Sequence, residues 1–116
     1  MTPFFQRRWL SAAAATLAVA CSPGRTAFRE GRLPAAAAEL RAAEPTAIAR
    51  GGGEWARYAL ERGLVELGLG NARAADRYLT IAKRAADEDP ALLDDREHGE
   101  LLSAWRSLGR MPGERR

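Results

Sequence analysis

The tightest constraint on this chain's fold is the stretch from Trp55 to Ala86, broken at Leu69-Gly70-Asn71. Before the break, Leu60, Leu64 and Leu67 recur at the four- and three-residue steps that set side chains on one helical face. After it, Ala72, Ala75, Leu79, Ala82 and Ala86 do the same. Gly70 accommodates the left-handed conformation that ends a helix, and the side-chain oxygen of Asn71 suits the cap of the next one. The pattern predicts two helices folded back on each other, an αα-hairpin in an all-α fold.

Flanking segments extend the same scheme. Pro34 suits the first turn of a helix, where its missing N–H costs nothing, and Leu33, Ala36, Leu40 and Ala43 form a stripe that is expected to stop before Pro45. Thr46 to Gly53, ending in Gly51-Gly52-Gly53, reads as a connector. Beyond the hairpin, Asp89 is expected to cap a third helix with Pro90 as its first residue. Asp94 and Asp95 then lie near the positive end of the helix dipole, and Leu101, Leu102, Trp105 and Leu108 make the apolar side before Gly109. The helical domain is expected over residues 31–110, and residues 111–116 as a disordered basic tail.

Residues 1–20 carry the parts of an export signal in order: Arg7 and Arg8, the apolar run Trp9 to Ala20, then small residues before Cys21. Twelve helical residues reach roughly 18 Å, short of the roughly 30 Å hydrocarbon core, so a signal-peptide helix is expected rather than a permanent span. Leu17-Ala18-Val19-Ala20-Cys21 resembles a bacterial lipobox. That resemblance implies a Cys21 diacylated on sulfur at the mature N-terminus, with residues 21–30 as lipid anchor and tether. Ala18-Val19-Ala20 also satisfies the A-x-A pattern, whose cleavage releases an unanchored protein. Arg7-Arg8-Trp9-Leu10 resembles a twin-arginine signal, beside the ordinary reading as a positive n-region. Ser22 is not the Asp of the Gram-negative inner-membrane retention rule, so under that rule the outer membrane is expected.

Charge and composition narrow the function. The formal net charge is +3, but without Arg7 and Arg8 the chain holds 16 basic against 15 acidic residues, a balance that gives no support to nucleic-acid binding. A single cysteine excludes an internal disulfide, and a single histidine most zinc sites. His98 lies between Glu97 and Glu100, with Ser103 five residues along the same helix and on another face, so no nucleophile–base pair forms. Asp94, Asp95, Glu97 and Glu100 lack the glycine turn and alternating oxygens of a calcium loop, and Gly51-Gly52-Gly53 lacks the lysine of a phosphate loop. No catalytic residue, metal or cofactor is therefore expected.

Gly31, Gly70 and Gly109 stand 39 residues apart, and Leu33, Ala36, Leu40 and Ala43 return at the same interval as Ala72, Ala75, Leu79 and Ala82. Gly31-Arg32-Leu33-Pro34 returns as Gly109-Arg110-Met111-Pro112. Such periodicity predicts stacked helix pairs, each burying its open face on a neighbour. Leu69-Gly70, Ala75, Leu79 and Ala82, with Gly63 in the preceding helix, resemble the hallmark run of the tetratricopeptide repeat. The period exceeds that family's usual 34 residues, and Arg62 and Glu66 occupy positions usually apolar or aromatic. The resemblance covers residues 31 to 112 and implies a short array of antiparallel helix hairpins that binds proteins or peptides.

Two readings of the last helix stand side by side. Trp105, Leu101 and Leu102 form a docking or dimer surface, or the helix is a cap with a solvated outer side. Together these features predict an exported, lipid-anchored helical adaptor or assembly factor at the periplasmic or extracellular side of a bacterial membrane, with an envelope protein or peptide as partner. The alternatives are a secreted unanchored helical protein and a small envelope enzyme or enzyme inhibitor.

Overall fold

The backbone changes direction at glycines placed where the sequence puts them. In the computed structural model, residues 27, 28 and 30–109 are described. They form four helices: α1 (Leu33–Arg50), α2 (Gly52–Gly68), α3 (Ala72–Glu88) and α4 (Asp95–Gly109), with a 3₁₀ turn at Pro90–Leu92 before α4. No strand occurs among the described residues, and no described helix is long and apolar enough to cross a membrane. The expected signal peptide, Cys21 and the tail at 111–116 lie outside the described residues.

Gly70 takes φ 83° and closes α2: its N–H donates to the Leu67 carbonyl at 3.0 Å, and the Asn71 N–H to the Glu66 carbonyl at 2.9 Å. Gly31, 39 residues earlier at φ 77°, makes the same pair of bonds, Gly31 to Phe28 at 3.1 Å and Arg32 to Ala27 at 2.9 Å. Both are Schellman ends, in which a left-handed glycine lets two orphan carbonyls find donors. Each is followed two residues later by a helix start, at Leu33 and Ala72. The 39-residue spacing thus recurs in backbone geometry at Gly31 and Gly70, whereas Gly109 takes no left-handed φ and is the last residue of α4.

Three boundaries differ from expectation. The first helix does not stop before Pro45 but runs to Arg50 with Pro45 inside it. The proline costs one backbone bond, yet the turn beyond it buries Ala47 in the cluster that holds Tyr58 and Trp55. The expected connector is therefore a single residue, Gly51, and Gly52 and Gly53 open α2, with Arg50 and Glu54 paired across the break at 3.0 Å. Asp89 caps only the 3₁₀ turn, its carboxylate accepting from the Ala91 N–H at 3.2 Å. The fourth helix starts later because Leu93, in extended conformation, turns into the core, and because Asp94 and Glu97 form a reciprocal capping box with both bonds at 2.8 Å. Asn71 does not cap α3. Its amide N–H₂ donates to the buried Glu66 carboxylate at 2.8 Å instead.

Helix α2 divides the core. One side, with Ala56, Ala59 and Leu60, meets Ala75, Leu79, Ala82 and Ala86 of α3 together with Leu93, Leu101, Ala104 and Leu108. The other, with Tyr58 and Val65, meets Ala36, Ala37, Leu40 and Ala47 of α1, joined by Ala27 and Tyr78. Small side chains let the backbones come close: a β-carbon added to Gly63 would stand 2.6 Å from Leu79, and one on Gly68 2.8 Å from Leu33.

Candidate functional site

Leu101, Leu102 and Trp105 occupy three different environments. Leu101 is 1% exposed and belongs to the core, whereas Leu102 is 45% exposed. Trp105 is partly buried against the core, with the Lys83 ammonium 6.0 Å from its ring. Leu101 and Leu102 help to line an open groove of about 320 Å³ between the C-terminal half of α3 and the start of α4, walled by Lys83, Asp87, Pro90 and His98. The groove has an apolar floor and a polar rim carrying both signs of charge.

The repeat period also specifies what α4 presents to water. On α2, Tyr58, Arg62 and Val65 face α1, and 39 residues on stand Glu97, Leu101 and Ala104, the buried side of α4. The α3-facing residues Ala56, Ala59, Leu60 and Gly63 correspond to Asp95, His98, Gly99 and Leu102. Of these only His98 is even half-buried, and a bulky leucine replaces the glycine that allows close packing.

His98 is half-buried and has a backbone partner. Its Nε2 lies 2.8 Å from the Pro90 carbonyl, which can only accept, so the ring donates and ties α4 to the 3₁₀ turn. The acidic residues around it are committed elsewhere. Glu97 completes the capping box and lies 3.5 Å from Arg57, and Glu100 accepts from Arg96 at 2.9 Å. No group of metal-ligating side chains occurs among the described residues.

The densest polar chemistry joins α1, α2 and α3, and sequence reasoning noticed only two of its members, Arg62 and Glu66, as departures from pattern. The Arg62 guanidinium donates from Nε to Glu66 at 3.0 Å and from Nη1 to Glu44 at 3.0 Å and the Tyr58 hydroxyl at 2.9 Å. The Tyr58 hydroxyl donates to the Leu40 carbonyl at 2.8 Å, and Tyr78 donates to Glu44 at 2.9 Å. Arg62 also lies 4.6 Å over the Tyr78 ring, and Tyr58 meets Tyr78 edge to face. Glu44 and Tyr78 lie 34 residues apart and follow no short-range motif.

Burial pushes the Tyr58 hydroxyl up to about 12 against the opposing pull of Arg62, and burial with the Glu44 contact raises Tyr78. Burial alone would raise Glu66, but the Asn71 amide and Arg62 outweigh it and hold its carboxyl below the usual range. Arg62 is likewise held charged, its hydrogen bonds to Glu66 and Tyr58 overcoming desolvation. With Arg62 bonded to Glu44, Tyr58 and Glu66, and Tyr78 to Glu44, the cluster ties three helices together as a clamp. Compared with protein-family models, with curated proteins and with solved structures, the chain matches none.

Proposed function

We propose that this chain is a lipid-anchored envelope protein whose short tetratricopeptide-like array binds another envelope protein or peptide as an adaptor or assembly factor. The observation that carries the reading is the pair of Schellman ends at Gly31 and Gly70, each followed by a helix with the same small-residue stripe. A chain that repeats one helix-pair unit at a fixed interval builds extended surface rather than an enclosed reaction pocket. The close approach at Gly63 supports the family resemblance, because the small residue lies against Leu79 of the partner helix.

In this reading α4 is the array's cap, since the positions that would receive a further helix are polar at Asp95 and His98, without a side chain at Gly99 and too large at Leu102. The partner then sits at the groove between α3 and α4, with Leu102 and Lys83 in its wall and Leu101 as its floor, and Trp105 lies beyond Lys83. Cys21 supplies the membrane attachment. Metabolic labelling with palmitate tests the anchor: label is expected on the wild type and lost in Cys21→Ser. Co-purification from detergent-solubilised membranes tests the adaptor role, and an envelope protein retained by the wild type but not by Leu102→Glu is the expected result.

A further inference from the structure

We infer that the end of the domain formed by Leu69, Gly70 and Arg73 rests on an anionic phospholipid surface. This depends on the reading of Cys21 as the lipid-bearing residue. Ala27 is 1% exposed, and its carbonyl accepts from Arg32, so the chain is fixed to the fold from that residue onward. The six peptide steps from Cys21 to Ala27 reach roughly 20 Å at most. Ala27 docks beside the start of α1, where Leu33 covers Gly68, next to the turn that joins α2 to α3. Acyl chains on Cys21 therefore draw this end to the bilayer and not the opposite one.

Charge is distributed to match. The far end, roughly 26 Å away along the 17 residues of α3, gathers Asp87, Glu88, Asp89, Asp94 and Asp95, all exposed, and its nearby cations are partly spent, Lys83 on Asp87 and Arg96 on Glu100, with Arg84 beside them. An anionic surface repels that end. At the tethered end, Arg73 and Arg77 stand one turn apart with Asp76 between them, the exposed Glu30 is neutralised by Arg32, and neither Arg73 nor Arg77 makes an ion pair among the described residues. Arginines near an anionic leaflet are attracted within about a Debye length, which the short tether ensures. Leu69, at the tip of the same turn, is 37% exposed and gives this end an apolar side chain where headgroups meet it.

The experiment uses the full-length protein, purified with its palmitate label and reconstituted into phosphatidylglycerol vesicles carrying a headgroup-nitroxide lipid. A fluorophore is placed on Leu69→Cys or, at the far end, on Ala91→Cys. Both positions are exposed, and acylation leaves each new thiol as the reactive one. The expected result is quenching at position 69, none at position 91, and loss of the quenching when phosphatidylglycerol is replaced by phosphatidylcholine. In palmitate-bearing protein, a bright label at 69, equal quenching at both positions, or quenching that survives the lipid replacement overturns the inference alone. Absence of palmitate overturns the inference together with the anchor.

Discussion

Gly63 on α2 lies beneath Leu79 on α3 so closely that a β-carbon at position 63 would meet the leucine's Cγ and Cδ2 at 2.6 Å. Leu79 is fully buried and has no room to withdraw. Gly63→Ala should therefore destabilise the domain by about 1–3 kcal/mol despite alanine's better helix propensity. Gly99 on α4 has open space around its missing side chain, so Gly99→Ala should instead stabilise by about 0.5–1 kcal/mol. Urea unfolding of the two variants checks both signs, and a stabilised Gly63→Ala would mean that α2 and α3 are not in close contact.

Arg62 is the cation that serves Glu44 and Glu66 together. Replacing it by methionine leaves the buried Glu66 and the partly buried Glu44 without their shared cation, and breaking a buried pair from one side costs about 3–5 kcal/mol, a large part of a small domain's stability. Tyr78→Phe removes a single donor from Glu44, which keeps Arg62, and should cost only about 1 kcal/mol. Thermal melting of the two variants under one buffer gives the ranking. Equal losses would show that Arg62 does not hold the three helices.

The clamp also gives the domain a pH dependence of definite sign. The Glu66 carboxyl lies below its usual value in the folded chain, so the unfolded chain takes up the proton first as pH falls. Its stabilisation is complete above the ordinary glutamate range near about 4.3 and is lost as pH drops through the lower folded value. The tyrosines work in the opposite direction. Tyr58, at about 12, and the raised Tyr78 favour the folded state below the unfolded value near ~10, and that contribution disappears as pH rises toward the folded values. Both tyrosines of the chain lie in this cluster, so tyrosinate absorbance of the folded protein should show no component titrating at the ordinary value. A tyrosine ionising there in protein that is still folded would place it outside the clamp.

Local chemistry made much of this fold legible. Gly70 and Gly31 announce helix ends because a left-handed residue is a short-range requirement, and the leucine and alanine stripes follow from helical geometry alone. The misplaced boundaries all arise where distant packing overrules a local preference. Pro45 stays inside α1 because Ala47 is buried against α2, α4 starts late because Leu93 must reach the core, and the Asn71 side chain serves Glu66 in preference to the helix it precedes. Arg62 and Glu66 stood out as polar residues at apolar positions, which was the available signal of a buried network. Tyr58 stands one turn before Arg62 on the same helix, while Glu44 and Tyr78 come from separate helices and meet only after the hairpin and α1 have packed.

Leu102 and Trp105 separate binding from folding. Leu102 is largely exposed, so Leu102→Glu leaves the core intact and should leave melting nearly unchanged. Trp105 shields part of the core and faces Lys83, so Trp105→Ala should lower the melting temperature as well as weaken any partner. If the groove beside α4 is the recognition surface, Leu102→Glu loses the envelope protein that co-purifies with the wild type at unchanged stability, whereas Trp105→Ala, which reaches the groove only through Lys83, loses stability first. Retention of that protein by a stably folded Leu102→Glu would remove this groove from the interaction and move the search to the opposite side of the helices, because a glutamate at its edge adds charge and bulk where an apolar contact is required.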